Sequence, residues 1–224
     1  SYMSVQAMYV LLFMTIFATL KYPLVALTLT MKECKKIMIP VYQTALPRIG
    51  VNRHIACVFR FGPKSHQGLG CPHLYTEQGI AQLQAVLQHG GDDTQLGKLL
   101  LNCYEGHQLE VGSTKSCFQL EYEKYKNLAT ESYLKSIWCF ISQNDIILKV
   151  PSPIPEIVRN NDTFIMDDVI RTSCFSKSNI VQINRCRIYL QVCTLADITT
   201  GNGREITDLA MRCIRDEQRP SKYN

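Results

Sequence analysis

Three groups of residues in this chain of 224 have types and spacings that could do chemistry. Cys57, His66, Cys71 and His73 place four candidate ligands within 17 residues, which invites comparison with a zinc site. Their separations match none of the usual ligand pairs two to four apart, so no metal is expected. Asp167 and Asp168, in the run FIMDDVI, are adjacent carboxylates of the kind that can hold divalent ions. Arg48, Arg53, Arg60 and Lys64, with Lys35 and Lys36 ahead of them, are cations that could contact phosphates. Such contacts position a nucleic-acid backbone without reading its sequence.

The third group gains weight from the charge distribution. Residues 1–76 carry eight bases and one acid, a net +7, whereas the other 16 bases and 18 acids give −2. A polyanion would be held by the first third of the chain, and a solvated basic face without a partner is the alternative. With 46% hydrophobic residues the chain can bury one sizeable core or two small ones. Ten cysteines spread from Cys34 to Cys213 do not form a compact framework, and we read them as reduced thiols in the cytoplasm or nucleus. No Gly-rich phosphate loop with a following Lys, no nucleophile elbow and no HExxH occurs, so no catalytic residue and no cofactor is expected.

The elements that must position the basic residues are helical. Thr30 and Glu33 form a capping box, and Cys34, Ile37, Val41 and Ala45 follow as an apolar face, interrupted by Pro40. HIACVFRF, ending at Phe61, alternates enough to suggest a short extended segment. Pro63, Gly68 and Gly70 punctuate a loop, after which Thr76 is the expected N-cap of a helix whose face is Ile80, Leu83 and Leu87. Gly90 and Gly91 stop it. Further on, Asp93 or Thr94 caps a helix with Leu96, Leu99, Leu100 and Cys103 on its apolar side. Thr130 opens another, with Leu134, Ile137, Trp138 and Ile141 as its stripe. PSPIP, from Pro151 to Pro155, is a stiff linker. Ser178 caps a last helix that carries Arg185 and Arg187, either for nucleic acid or for acidic partners. ITTGNGREI reads as a hairpin.

From about Tyr22 to the C-terminus, four blocks occur in order: LPRIGVNRH, FGPKSHQGLG, LYTEQGIAQL and NRCRIYLQVCTLADIT. Together they resemble the region that follows the reverse transcriptase domain in non-LTR-type retrotransposon polyproteins. The resemblance implies a helical thumb that grips template and primer, beginning with an apolar helix followed by a Tyr-Pro dipeptide, here Tyr22 and Pro23. It also places Asp167 and Asp168 after the polymerase. Ile165 stands where a polymerase would carry an aromatic residue, so the two aspartates are expected to be surface carboxylates of a helix.

Ser1 to Leu20 lacks charge and is long enough to cross a membrane, but Gln6, Thr15 and Thr19 interrupt it. We read it as a buried thumb helix, with no membrane partner. The absence of an initiator Met suggests a piece of a longer product. The expected protein is therefore mainly α, a thumb-like bundle in residues 1–91 and a second helical unit with a minor hairpin in 92–224. It would be an intracellular, non-catalytic C-terminal part of a retrotransposon reverse transcriptase. Its partners would be an RNA or RNA/DNA duplex backbone and the upstream polymerase domain. A decayed relic, a helical interaction protein and a membrane-anchored protein are the alternatives.

Overall fold

The computed structural model describes residues 3–153, 159–172 and 174–207. The fold is mainly helical as expected, and among the described residues β structure is limited to the isolated bridges Phe164–Thr194 and Thr199–Ile206. The second bridge lies in ITTGNGREI, where Thr200 N–H donates to Glu205 O at 2.8 Å and Thr207 N–H to Ile198 O at 3.0 Å. The segment turns back on itself without forming strands. The chain divides into two compact units, Ser1–Asp92 and Asp93–Asn224.

In the first unit, helix α1 (Val5–Val25) starts at Ser4, whose hydroxyl accepts from Ala7 N–H at 3.1 Å. Its middle turns, Leu11–Ile16, are wide, and Tyr22–Val25 tightens around Pro23. The wide turns let Leu12 and Phe17, five residues apart, share the side that Met8 also buries. The expectation of a buried helix holds for that side alone. Met14 and Tyr22 are 73% and 88% exposed, and 22% of the apolar window is covered.

Helix α2 (Met31–Arg48) opens with the expected capping box, Glu33 N–H to Thr30 Oγ1 and Thr30 N–H to Glu33 Oε2. It continues through Pro40 and Pro47 and buries Cys34, Met38, Tyr42, Ala45 and Leu46; Ile37, expected inside, is exposed. HIACVFRF is not extended. It contains a short helix α3 (Cys57–Phe61), with Val58 and Phe59 largely exposed. A solitary extended segment would leave its backbone groups without a ladder, whereas the turn satisfies them internally, as in Arg60 N–H to Ala56 O at 3.0 Å.

The next loop folds back on α3 through Leu69 N–H to Phe59 O, Gly70 N–H to Gly62 O and Cys71 N–H to Arg60 O, all 2.8–3.0 Å. A Cβ on Gly68 would stand 2.1 Å from the Gly62 carbonyl oxygen, so glycine is required for this close approach.

Helix α4 (Leu74–His89) begins before Thr76, whose hydroxyl bonds His73 Nδ1 at 2.8 Å instead of capping. Its buried side is Leu74, Tyr75, Gln78, Gly79 and Gln82. The expected face is turned outward, with Ile80 and Leu87 44% and 67% exposed. The reason is polar. Gln78 pairs with both backbone groups of Leu29, and Gln82 Nε2 donates to Leu27 O at 2.6 Å. These bonds satisfy an extended segment that has no neighbouring strand.

The second unit repeats this pattern. Helix α5 (Gln95–Val111), capped by Thr94, exposes Leu96, Leu99 and Cys103, contrary to expectation, and buries Gly97, Tyr104, His107, Gln108 and Val111. Gln108 Nε2 donates to Ser113 O and Lys115 O, and its Oε1 accepts from Cys117 N–H. A one-turn helix α6 (Tyr122–Tyr125) precedes α7 (Tyr133–Gln143), which Ser132 caps in place of Thr130. On α7 the expected stripe is the buried one: Leu134, Ile137, Trp138 and Ile141 are at most 3% exposed. Helices α8 (Ile165–Thr172), α9 (Lys177–Leu190) and α10 (Leu195–Ile198) complete the unit, with Ser176 rather than Ser178 capping α9. Part of the PSPIP linker lies outside the described residues.

Candidate nucleic-acid interface

The expected phosphate-contacting residues all lie in the first unit, but they differ in what already holds them. An aromatic chain runs through this unit. Tyr9 stacks on Phe13 at 4.4 Å, Phe13 meets Phe17 edge-on, and Phe17, Tyr42, Phe61 and His73 continue in edge-to-face steps of 5.0–6.3 Å. Two of the cations rest on it. Arg60 Cζ lies 4.9 Å from the centre of the Tyr42 ring, and its Nη2 donates to the carbonyls of Arg53 and Ile55, both at 3.2 Å. Lys64 Nζ lies 4.9 Å from the Phe13 ring centre and donates to Tyr9 Oη. Arg60 is half-buried and fastens the 53–55 segment; Lys64 is exposed. Their aromatic supports were not legible in the sequence, because Tyr9 and Phe13 stand far from Lys64 along the chain.

The remaining cations are freer. Arg53 Nε donates to His54 Nε2 at 3.1 Å, and both residues are exposed. Among the described residues, Lys35, Lys36 and Arg48 make no ion pair, and neither does Lys32, which the expected set omitted. Lys32, Lys35 and Lys36 lie in the first turns of α2 and Arg48 in its last. Lys36 and Arg48 are thus separated by roughly 18 Å along the axis and about 120° around it. Lys21, by contrast, is held by Glu77 at 3.0 Å. The set forms an elongated distribution along and beside α2, not one cluster.

Charge sharpens the division. Ser1–Asp92 holds eight bases and three acids, a net +5, while the second unit has 16 of each and is neutral. Around the aromatic chain, burial and the neighbouring Lys35 hold His73 below the ordinary histidine range, so it adds no positive charge near neutral pH. Burial pushes the Cys71 thiol up to about 11.

The other two groups are placed plainly. Among the described residues no three His, Cys, Asp or Glu side chains gather as a metal site. Cys57 and His66 are exposed, Cys71 is buried, and the Nδ1 atoms of His66 and His73 bond Ser65 and Thr76. Asp167 and Asp168 sit in the first turn of α8 and are half-buried. Asp167 accepts from Thr114 N–H and Oγ1, both at 3.1 Å, and from Tyr125 Oη at 3.4 Å. Asp168 accepts from Thr163 Oγ1 and from Arg171 Nη2. Both carboxylates are thereby engaged in holding the second unit together.

Arg187 is not at a surface. It is 3% exposed and donates to the carbonyls of Leu109, Glu110 and Val192 and to Asn184 Oδ1. It ties the end of α5 to α9 by filling carbonyls that helix geometry leaves orphaned. Arg185 is exposed. Compared with family models, curated proteins and solved structures, the chain matches none.

Proposed function

We propose that this chain is the non-catalytic C-terminal part of a retrotransposon reverse transcriptase, whose first unit holds template–primer nucleic acid by its backbone. The observation that carries the reading is electrostatic. The whole net charge of +5 belongs to Ser1–Asp92, and its cations without ion pairs are spread along α2. An elongated, sequence-tolerant cationic surface suits a backbone, which offers repeated phosphates rather than a single anion. Lys32, Lys35, Lys36 and Arg48 make the direct contacts, with Arg53 and Lys64 beside them. Arg60 orients the loop. The upstream polymerase domain would supply the chemistry.

The test is a charge-removal series. Replacing Lys35, Lys36 and Arg48 singly by Gln should lower duplex affinity about 2- to 10-fold each, with the melting temperature unchanged. Unaltered affinity in the triple variant would remove the reading.

A second reading rests on α1, which is long and apolar enough to cross a membrane yet has only 22% of its apolar window covered. In this reading its open side is a docking face for a protein partner, the polymerase domain first. Recovery of the chain in the soluble fraction, self-associating until that domain is supplied, supports it. Recovery in the integral membrane fraction contradicts it.

A further inference from the structure

A groove of about 730 Å³ lies against α2, α3 and the start of α4. That volume is within the range of sites that take small organic groups, roughly 300–1,000 Å³. Its walls are apolar and soft: Met31, Met38, Ile39, Phe61 and Leu74. Thioether and ring surfaces of this kind accept flat, polarisable groups without demanding a hydrogen-bond pattern. Two cations, Lys35 and Arg60, are also in the lining, and no carboxylate is. Arg60 Nε is buried with no hydrogen-bond partner, although Nη2 of the same guanidinium is fully engaged. Lys32 and Lys36 flank Lys35 on the same turns of α2.

An apolar slot with cations at its side and no acid matches one piece of a nucleic acid in particular, an unstacked base flanked by phosphates. We propose that the groove receives an unpaired nucleobase from the end of a strand, with the adjoining phosphates on Lys35 and its neighbours Lys32 and Lys36. The proposal rests on the reading that the first unit binds nucleic acid, and it narrows the substrate from duplex backbone to duplex with an unpaired end. A paired base is locked in its stack and cannot enter without the cost of extrusion. An unpaired one gains a dry, polarisable surface, and every base has a face to offer.

The experiment uses the full chain and fluorescence anisotropy with two labelled probes, a blunt duplex and the same duplex bearing a short unpaired overhang. The overhang probe is expected to bind about tenfold more tightly, within what stacking of one base contributes. Ile39→Glu places a charge in the groove, whereas Ile37→Glu places the same charge on α2 outside the lining; both positions are exposed, at 49% and 38%. Ile39→Glu should erase the preference and Ile37→Glu should keep it. Equal binding of both probes overturns the proposal while leaving backbone binding intact, and no binding of either overturns both. Loss of the preference in Ile37→Glu to the same degree as in Ile39→Glu assigns it to long-range charge and also overturns the groove.

Discussion

Gln78 treats Leu29 as a neighbouring strand would: its Oε1 accepts from the Leu29 N–H and its Nε2 donates to the Leu29 carbonyl, both at 3.0 Å. Gln78 itself is 1% exposed, so the pair fixes the chain between α1 and α2 against α4 from inside. Gln78→Leu keeps the volume and loses both bonds. The unsatisfied backbone groups should cost about 2–3 kcal/mol, read as a lower denaturation midpoint. Gln78→Glu should fall between, since a protonated carboxyl can accept from the N–H and donate to the carbonyl, at the cost of holding its proton near neutral pH. Equal stability of wild type and Gln78→Leu would contradict this role.

Gly112 and Arg187 make a second tight pair. Gly112 has φ +68°, and a Cβ there would lie 2.6 Å from Arg187 Cζ. Gly112→Ala combines backbone strain with displacement of a buried guanidinium and should cost about 3 kcal/mol or more. Arg187→Lys, with fewer donors and a different reach, should also destabilise strongly, whereas the exposed Arg185→Lys should be neutral. Calorimetry of the three variants checks the ranking.

Acid should weaken the second unit through His107. This ring is 5% exposed, meets Trp138 edge-on at 5.9 Å, and has an Nε2 without a partner. Burial lowers its pKa, with Glu110 opposing and Lys135 adding to the effect. The unfolded chain therefore takes up the proton more readily, near the ordinary value of 6.5. The stabilisation is complete above that pH and is lost as pH falls through the depressed folded-state value. His107→Phe keeps the ring against Trp138 and should flatten the fall in melting temperature between neutral pH and pH 5. An unchanged slope in that variant would rule His107 out as its source.

The loop behind Arg60 depends on Gly68, whose position leaves no room for a Cβ against the Gly62 carbonyl. Gly68→Ala should destabilise the first unit by about 2 kcal/mol or more and should weaken nucleic-acid binding indirectly, by releasing Arg60 and Lys64 from their aromatic seats. Gly91→Ala, where a Cβ would meet nothing within 4 Å, is the control and should be silent. Matched losses in the two variants would contradict the close-packing argument.

What the sequence reveals depends on which forces are local. The capping box of Thr30 and Glu33 and the stripe of Leu134, Ile137, Trp138 and Ile141 are set by neighbours three or four residues away, and both are found in the structure. The faces of α4 and α5 are not local. Periodicity selects Ile80, Leu83 and Leu87 as the inner side of α4, but Gln78 and Gln82 are drawn inward by extended backbone nearly 50 residues earlier or more. No spacing rule signals that the polar side will win. The candidate site shows the same limit. Charge counting locates Arg60 and Lys64, while their seats on Tyr42 and Phe13 follow only from how α3 meets α2 and how the loop after α3 meets α1.

The most direct test of the account is the salt dependence of duplex binding by the full chain. With four or five cations neutralising phosphates, log affinity should fall against log salt concentration with a slope of about −4, or about 10²-fold between 50 mM and 200 mM salt. The Lys35→Gln, Lys36→Gln and Arg48→Gln variants should each make that slope shallower by about 1. A flat salt profile, or a slope indifferent to all three substitutions, would contradict the claim that the first unit holds nucleic acid by its backbone.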